Sequence, residues 1–174
     1  MIEVRNLTKK YGNTKVVDNV SLDIEKGKMI SLIGPNGAGK STVLSMITRL
    51  MDMDEGQVII DGTELSKWDS KELSKRISIL KQANDVNLRL TIRELVEFGR
   101  FPHSQGNITA VDNEFIDKAI KYMQLEDIEH RYLDELSGGQ KQRAYIAMVI
   151  AQDTEYIFLD EPLNNLDMKH CVQM

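Results

Sequence analysis

The stretch Gly34-Pro35-Asn36-Gly37-Ala38-Gly39-Lys40-Ser41 decides the reading of this 174-residue chain. It follows the apolar run Met29 to Ile33 and precedes Val43, Leu44, Ile47 and Leu50 at helical spacing, so the pattern predicts strand, glycine-rich loop, helix. Glycines let backbone N–H groups converge on phosphate oxygens without a side chain in the way, and the following helix adds its positive end. Lys40 is placed to reach the β and γ phosphates of a nucleotide and Ser41 to reach Mg²⁺.

Other short apolar runs alternate with helical patterns along the chain. Ile2 to Leu7 and then Val20, Leu22 and Ile24 read as strands, the second with the alternation of a half-exposed antiparallel sheet. Val58 to Ile60 ends in the turn pair Asp61-Gly62, and Ile77 to Leu80 follows a polar helical stretch from Ser70 to Arg76. Thr91 and Glu94 have capping-box spacing, and Phe115, Ile116, Ala119, Ile120 and Met123 trace one face of a later helix. Lys141 to Gln152 reads as a further helix and Tyr156 to Leu159 as a buried strand, which together give an α/β core.

That last strand delivers Asp160 and Glu161 to the edge expected to carry the phosphate loop. Asp160 suits Mg²⁺ held through water, and Glu161 suits polarising the water that attacks a γ-phosphate. Leu136-Ser137-Gly138-Gly139-Gln140 opens another helix, so its hydroxyl and N–H groups form a second phosphate-binding helix start.

In this order the three motifs resemble those of ABC ATPases, in which LSGGQ is the signature that docks on ATP held by the opposite subunit. The resemblance covers essentially the whole chain. It implies a P-loop NTPase fold of the RecA-like type: a parallel-sheet core, an N-terminal antiparallel β subdomain and a helical subdomain, expected over about residues 83–150. It further implies that Tyr11 stacks on adenine with Val16 beside the ribose, and that Gly34 to Ser41 with Thr42 hold ATP. Gln82 takes the place of the glutamine that contacts Mg²⁺ and the attacking water. Ser137, Gly138, Gly139 and Gln140 contact ATP in trans, and Asn165, Leu166 and Asp167 form the dimer-contact loop. Val96 to His103 and Glu161 to His170 resemble the ATPases of iron–siderophore importers more narrowly. The implied partners are a second copy of the chain, transmembrane permease subunits and, indirectly, a periplasmic or lipoprotein substrate-binding protein.

Against the family pattern, the switch histidine and closing strands are expected to be absent, which makes this an incomplete ATP-binding domain with weak or no turnover. His170 lies only nine positions after Glu161, too near to be that histidine. A nucleotide-holding remnant that does not hydrolyse ATP is therefore the alternative reading. ABC ATPases acting on ribosomes or DNA fit less well, since no long insertion separates Gln82 from Leu136.

Composition agrees. The chain is 41% hydrophobic and 28% charged, enough for one core, and its net charge of -5 argues against a general nucleic-acid partner. No apolar run approaches the roughly 20 residues of a membrane span, and MIEVRNLTKK lacks a signal-peptide segment. The chain is expected at the cytoplasmic face of the cell membrane, with its lone Cys171 compatible with a reducing compartment. His103 and His130 read as exposed or locally bonded, Trp68 as packing over a sheet edge, and the nine methionines as core filler.

Overall fold

The computed structural model describes residues 1–82 and 89–162, which form two compact units meeting in sequence at Leu73 and Ser74. In the first, β1 (Ile2–Tyr11) pairs antiparallel with β2 (Thr14–Ile24) and with β3 (Glu55–Ile60), and β3 pairs with β4 (Thr63–Glu64). The sheet order is β2-β1-β3-β4. Alternation along β1 buries Ile2 and Val4, then slips a residue at Asn6, whose φ of 52° makes a bulge, so that Leu7 takes the next inward place. Helix α1 (Lys40–Ile47) packs on β1 and β2 through Val43, Met46 and Ile47. Trp68 lies at the β4 edge as expected, its indole N–H donating to the Thr63 carbonyl at 3.3 Å.

One expected strand is not formed. Residues 28–35 run as irregular chain, and Met29 and Ile33 are 88% and 94% exposed. An apolar run becomes a strand only where a neighbour completes its backbone ladder, and among the described residues no strand lies beside it. Met29 accordingly departs from the core-filler reading that Met46 and Met123 satisfy.

Helix α2 (Ser70–Arg76) leads into the second unit, where β5 (Ile77–Leu80) and β6 (Tyr156–Leu159) pair in parallel, Ile77 opposite Tyr156 and Leu80 opposite Leu159. The ladder runs one bond further, from the Asp160 N–H to the Leu80 carbonyl at 2.9 Å. Helices α3 (Ile92–Gly99), α4 (Phe101–Ser104), α5 (Ala110–Tyr122) and α6 (Gly138–Ala151) carry the core of this unit. Thr91 caps α3 in the box its spacing predicts, with Glu94 reciprocating. Gly99 is required by packing: a Cβ there would stand 2.1 Å from the Met148 carbonyl oxygen of α6.

Beside that contact Arg100 is buried. It donates to Asp112 at 2.9 Å and to the Ala151 carbonyl at 2.9 Å, and its guanidinium lies 4.3 Å from the centre of the Phe115 ring. Asp112 also accepts from the Thr109 hydroxyl at 2.6 Å and the Thr109 N–H at 3.0 Å. These Thr109 bonds first, and Arg100 after them, hold the Asp112 carboxyl down at about 2, against an ordinary value of 3.8. A depressed carboxyl stabilises the fold fully above its ordinary value and loses that contribution as pH falls toward its folded value. Asp112→Ala leaves Arg100 buried without its counter-charge and is expected to cost about 3–5 kcal/mol, read as a lower urea midpoint. The part of the acid sensitivity that Asp112 contributes between the ordinary carboxyl range and its folded value should vanish in the same variant.

Candidate functional site

In the first unit the loop of residues 34–39 ends on Gly39, which caps α1 in the left-handed region at φ 85°. No side chain fits there, because a Cβ would lie 2.6 Å from the Val16 carbonyl oxygen and 3.2 Å from Val17 Cγ2. The glycine therefore lets the loop lie against β2. Lys40 folds back over the loop, its ammonium donating to the carbonyls of Gly34 at 2.9 Å and Pro35 at 3.0 Å. Ser41 and Thr42 stand in the first turn of α1, where N–H groups have no acceptor within the helix. Tyr11, 53% exposed at the end of β1, donates its hydroxyl to Met51 Sδ at 3.3 Å, and Val16 is half-buried on β2. The chemistry of this loop is that of an anion cradle: a fixed cation, a helix start and glycines that leave the backbone open.

In the second unit the parallel strands β5 and β6 bring their following residues together. Gln82, two residues beyond β5, donates from Nε2 to Glu161 Oε2 at 2.7 Å, and Asp160 stands between β6 and Glu161. Glu161 has φ 50°, a region disfavoured for a side chain with a Cβ and worth about 1–3 kcal/mol of strain. Pro162 follows it, and its carbonyl accepts from Gln142 Nε2 of α6 at 3.0 Å. Sequence reasoning left Gln142 unassigned, since a glutamine on a helix carries no signal of what it faces.

The start of α6 is a closed capping box. Ser137 Oγ accepts the Gln140 N–H at 3.3 Å, and Gln140 Oε1 accepts the Ser137 N–H at 3.0 Å. Gly138 and Gly139 occupy the first two helical positions, where the N–H groups point out of the helix. Asn165, Leu166 and Asp167 lie outside the described residues, as do His170 and Cys171. His103 is exposed, as expected, and binds the Gln152 carbonyl at 2.9 Å across 49 positions of sequence, while His130 lies 3.5 Å from its neighbour Glu129. Among the described residues no three His, Cys, Asp or Glu side chains gather as a ready-made metal site.

Residues 17–164 match the ABC transporter family model. Together with the fold and these loops, that match places the chain in the ABC transporter family, whose ATP-binding cassettes hydrolyse ATP to power transport. The chain is 63% identical over its whole length to the petrobactin import ATP-binding protein YclP of Bacillus subtilis (strain 168), covering 69% of it. It is 53% identical, again over its whole length, to the petrobactin import ATP-binding protein FatE of Bacillus anthracis, covering 70% of that protein. Among solved structures, a dimeric bacterial ABC transporter cassette, MJ0796, superposes with a TM-score of 0.86 at 34% identity, over 99% of this chain and 79% of that one.

The two glycines of left-handed conformation in the loop make a ranked test. Gly39→Ala meets both the conformational cost and the Val16 carbonyl, and should lose about 2 kcal/mol or more. Gly37, at φ 80° with open space at its Cβ position, should lose about 1 kcal/mol on the same change. Urea unfolding of the two variants checks the order.

Proposed function

We propose that this chain is the ATPase subunit of an importer for iron–siderophore complexes, working at the cytoplasmic face of the membrane beside transmembrane permease subunits. The observation that carries it is the 63% identity, over every residue of the chain, to a petrobactin import ATP-binding protein. Matches to iron-hydroxamate and ferric enterobactin ATP-binding proteins, each 39% identical, point to the same class of cargo.

In this reading Tyr11 stacks on adenine with Val16 beside the ribose, and the backbone of Gly34 to Gly39 cradles the phosphates. Lys40 neutralises the β and γ phosphates, Thr42 adds a hydroxyl, and Ser41, Gln82 and Asp160 serve Mg²⁺, directly or through water. Glu161 takes the part of general base toward the attacking water, with Gln82 orienting its carboxylate. Ser137, Gly138, Gly139 and Gln140 present donors to ATP on a second copy of the chain, and Asn165, Leu166 and Asp167 meet that copy. The helical subdomain that carries the signature corresponds to about residues 83–150. Most of the catalytic effect in phosphoryl transfer is positioning and charge stabilisation, which a capped helix start and a fixed lysine supply.

The test is the thermal unfolding midpoint with and without MgATP. Ligand at about a hundred times its Kd stabilises the native state by about 2.7 kcal/mol, or about 5–10 °C for a domain of this size. Lys40→Ala should abolish the rise. A shift that survives in Lys40→Ala, or none in the unaltered chain, would overturn the assignment of this loop to nucleotide.

A further inference from the structure

We propose that Gln142 is a positioning residue for Glu161, so that the helix opened by Ser137 to Gln140 sets where the catalytic carboxylate stands. The inference rests on the ATPase reading and adds to it a residue outside the three motifs.

Glu161 leaves β6 in the left-handed region at φ 50°. Such a conformation persists only where the surroundings hold it. The next residue, Pro162, has no N–H, so its nitrogen cannot anchor the turn through a hydrogen bond. Its carbonyl is the group that is held, by Gln142 Nε2 at 3.0 Å. From the other side Gln82 Nε2 holds the carboxylate itself at 2.7 Å. The Glu161 side chain and the main chain of the residue after it are thus tied by two glutamines from different elements.

The element behind Gln142 is firm. On α6 it is followed by Arg143, which donates to the Met123 carbonyl at 3.3 Å, and by the buried run Ala144, Tyr145, Ile146 and Ala147. Gln142 lies about one and a half helical turns from Ser137. A stiff helix moves as one body, so a displacement of its N-terminal turn is carried to the Pro162 carbonyl. Asp160, one residue earlier, has its N–H in the ladder to the Leu80 carbonyl. The tie therefore acts on the base and leaves the β5–β6 pairing as it is.

Two substitutions separate positioning from folding. Gln142→Met keeps the length of the side chain and removes the donor; Gln142→Lys restores a donor of similar reach. For ATP hydrolysis by the full chain we expect Gln142→Met to lower kcat about tenfold, to leave KM for ATP within about twofold, and to be largely rescued in Gln142→Lys. In a Glu161→Gln background the same change should cost nothing further, because the group being positioned is gone. An unchanged kcat, or losses that follow the unfolding midpoint and are not rescued by lysine, would overturn the proposal. Amide exchange at Glu161 gives a readout that needs no turnover: it should quicken in Gln142→Met while exchange at Asp160 stays as it is, and unchanged exchange at Glu161 would equally sink the idea. Absence of hydrolysis in the unaltered chain would count against the ATPase reading, and exchange would still decide the role of Gln142.

Discussion

The parallel pairing of β5 with β6 is the constraint on which the second unit turns. Four residues from each strand are in register, and the bond from Asp160 to Leu80 extends the ladder to the point where both chains leave the sheet. In a parallel pair, residues that follow the two strands emerge at the same end. Gln82 and Glu161 are 79 positions apart in sequence, yet their side chains meet at 2.7 Å for that reason. A slip of one residue would turn Leu80 and Phe158 toward the opposite face and part the glutamine from the glutamate.

Holding two four-residue strands in place requires a core larger than they can build. It comes from α3, α5 and α6, with Ile92, Leu95, Val96, Ile116, Ile120 and Ala147 among its buried members. Gly99 permits the close approach of α3 to α6, and Arg100, the next residue, fills the resulting corner with charge rather than hydrocarbon. A buried guanidinium is tolerable only with its hydrogen bonds made. Asp112, the Ala151 carbonyl and the Phe115 ring provide that environment, so one arginine joins α5 to the C-terminal end of α6. The end of α6 is fixed by this corner, and its beginning carries the Ser137 box.

How much of this was legible follows the range of each interaction. Local rules sufficed for β1, β3, β5 and β6, for α2 from Ser70 to Arg76 and for the Thr91–Glu94 box, since period, cap and turn residues act within a few positions. The glycine loop and the Ser137 helix start were legible for the same reason. Arg100 with Asp112 was not, because a charged residue in sequence gives no sign of burial; the Thr109 to Asp112 spacing was a usable hint, with aspartate in place of the usual glutamate of a capping box. Gln142 was hidden because its partner is a main-chain carbonyl 20 residues away. The run Met29 to Ile33 erred the other way: its composition is that of a strand, but pairing is not a property of the run itself.

The two anion-binding candidates solve one electrostatic problem in two ways. A loop or helix start exposes carbonyl and hydroxyl oxygens as well as N–H groups, and those oxygens repel phosphate. In the glycine loop, Lys40 donates to the carbonyls of Gly34 and Pro35, so two of the repelling oxygens are engaged by a cation. At α6 the capping box does this without charge: Ser137 Oγ accepts from the Gln140 N–H, and Gln140 Oε1 accepts from the Ser137 N–H. Each acceptor is turned inward, while the N–H groups of Gly138 and Gly139, at the first two helical positions, have no acceptor within the helix. Both sites therefore present donors to an approaching anion before it arrives. The charged version thus adds a cation to its donors, and the neutral version offers donors alone.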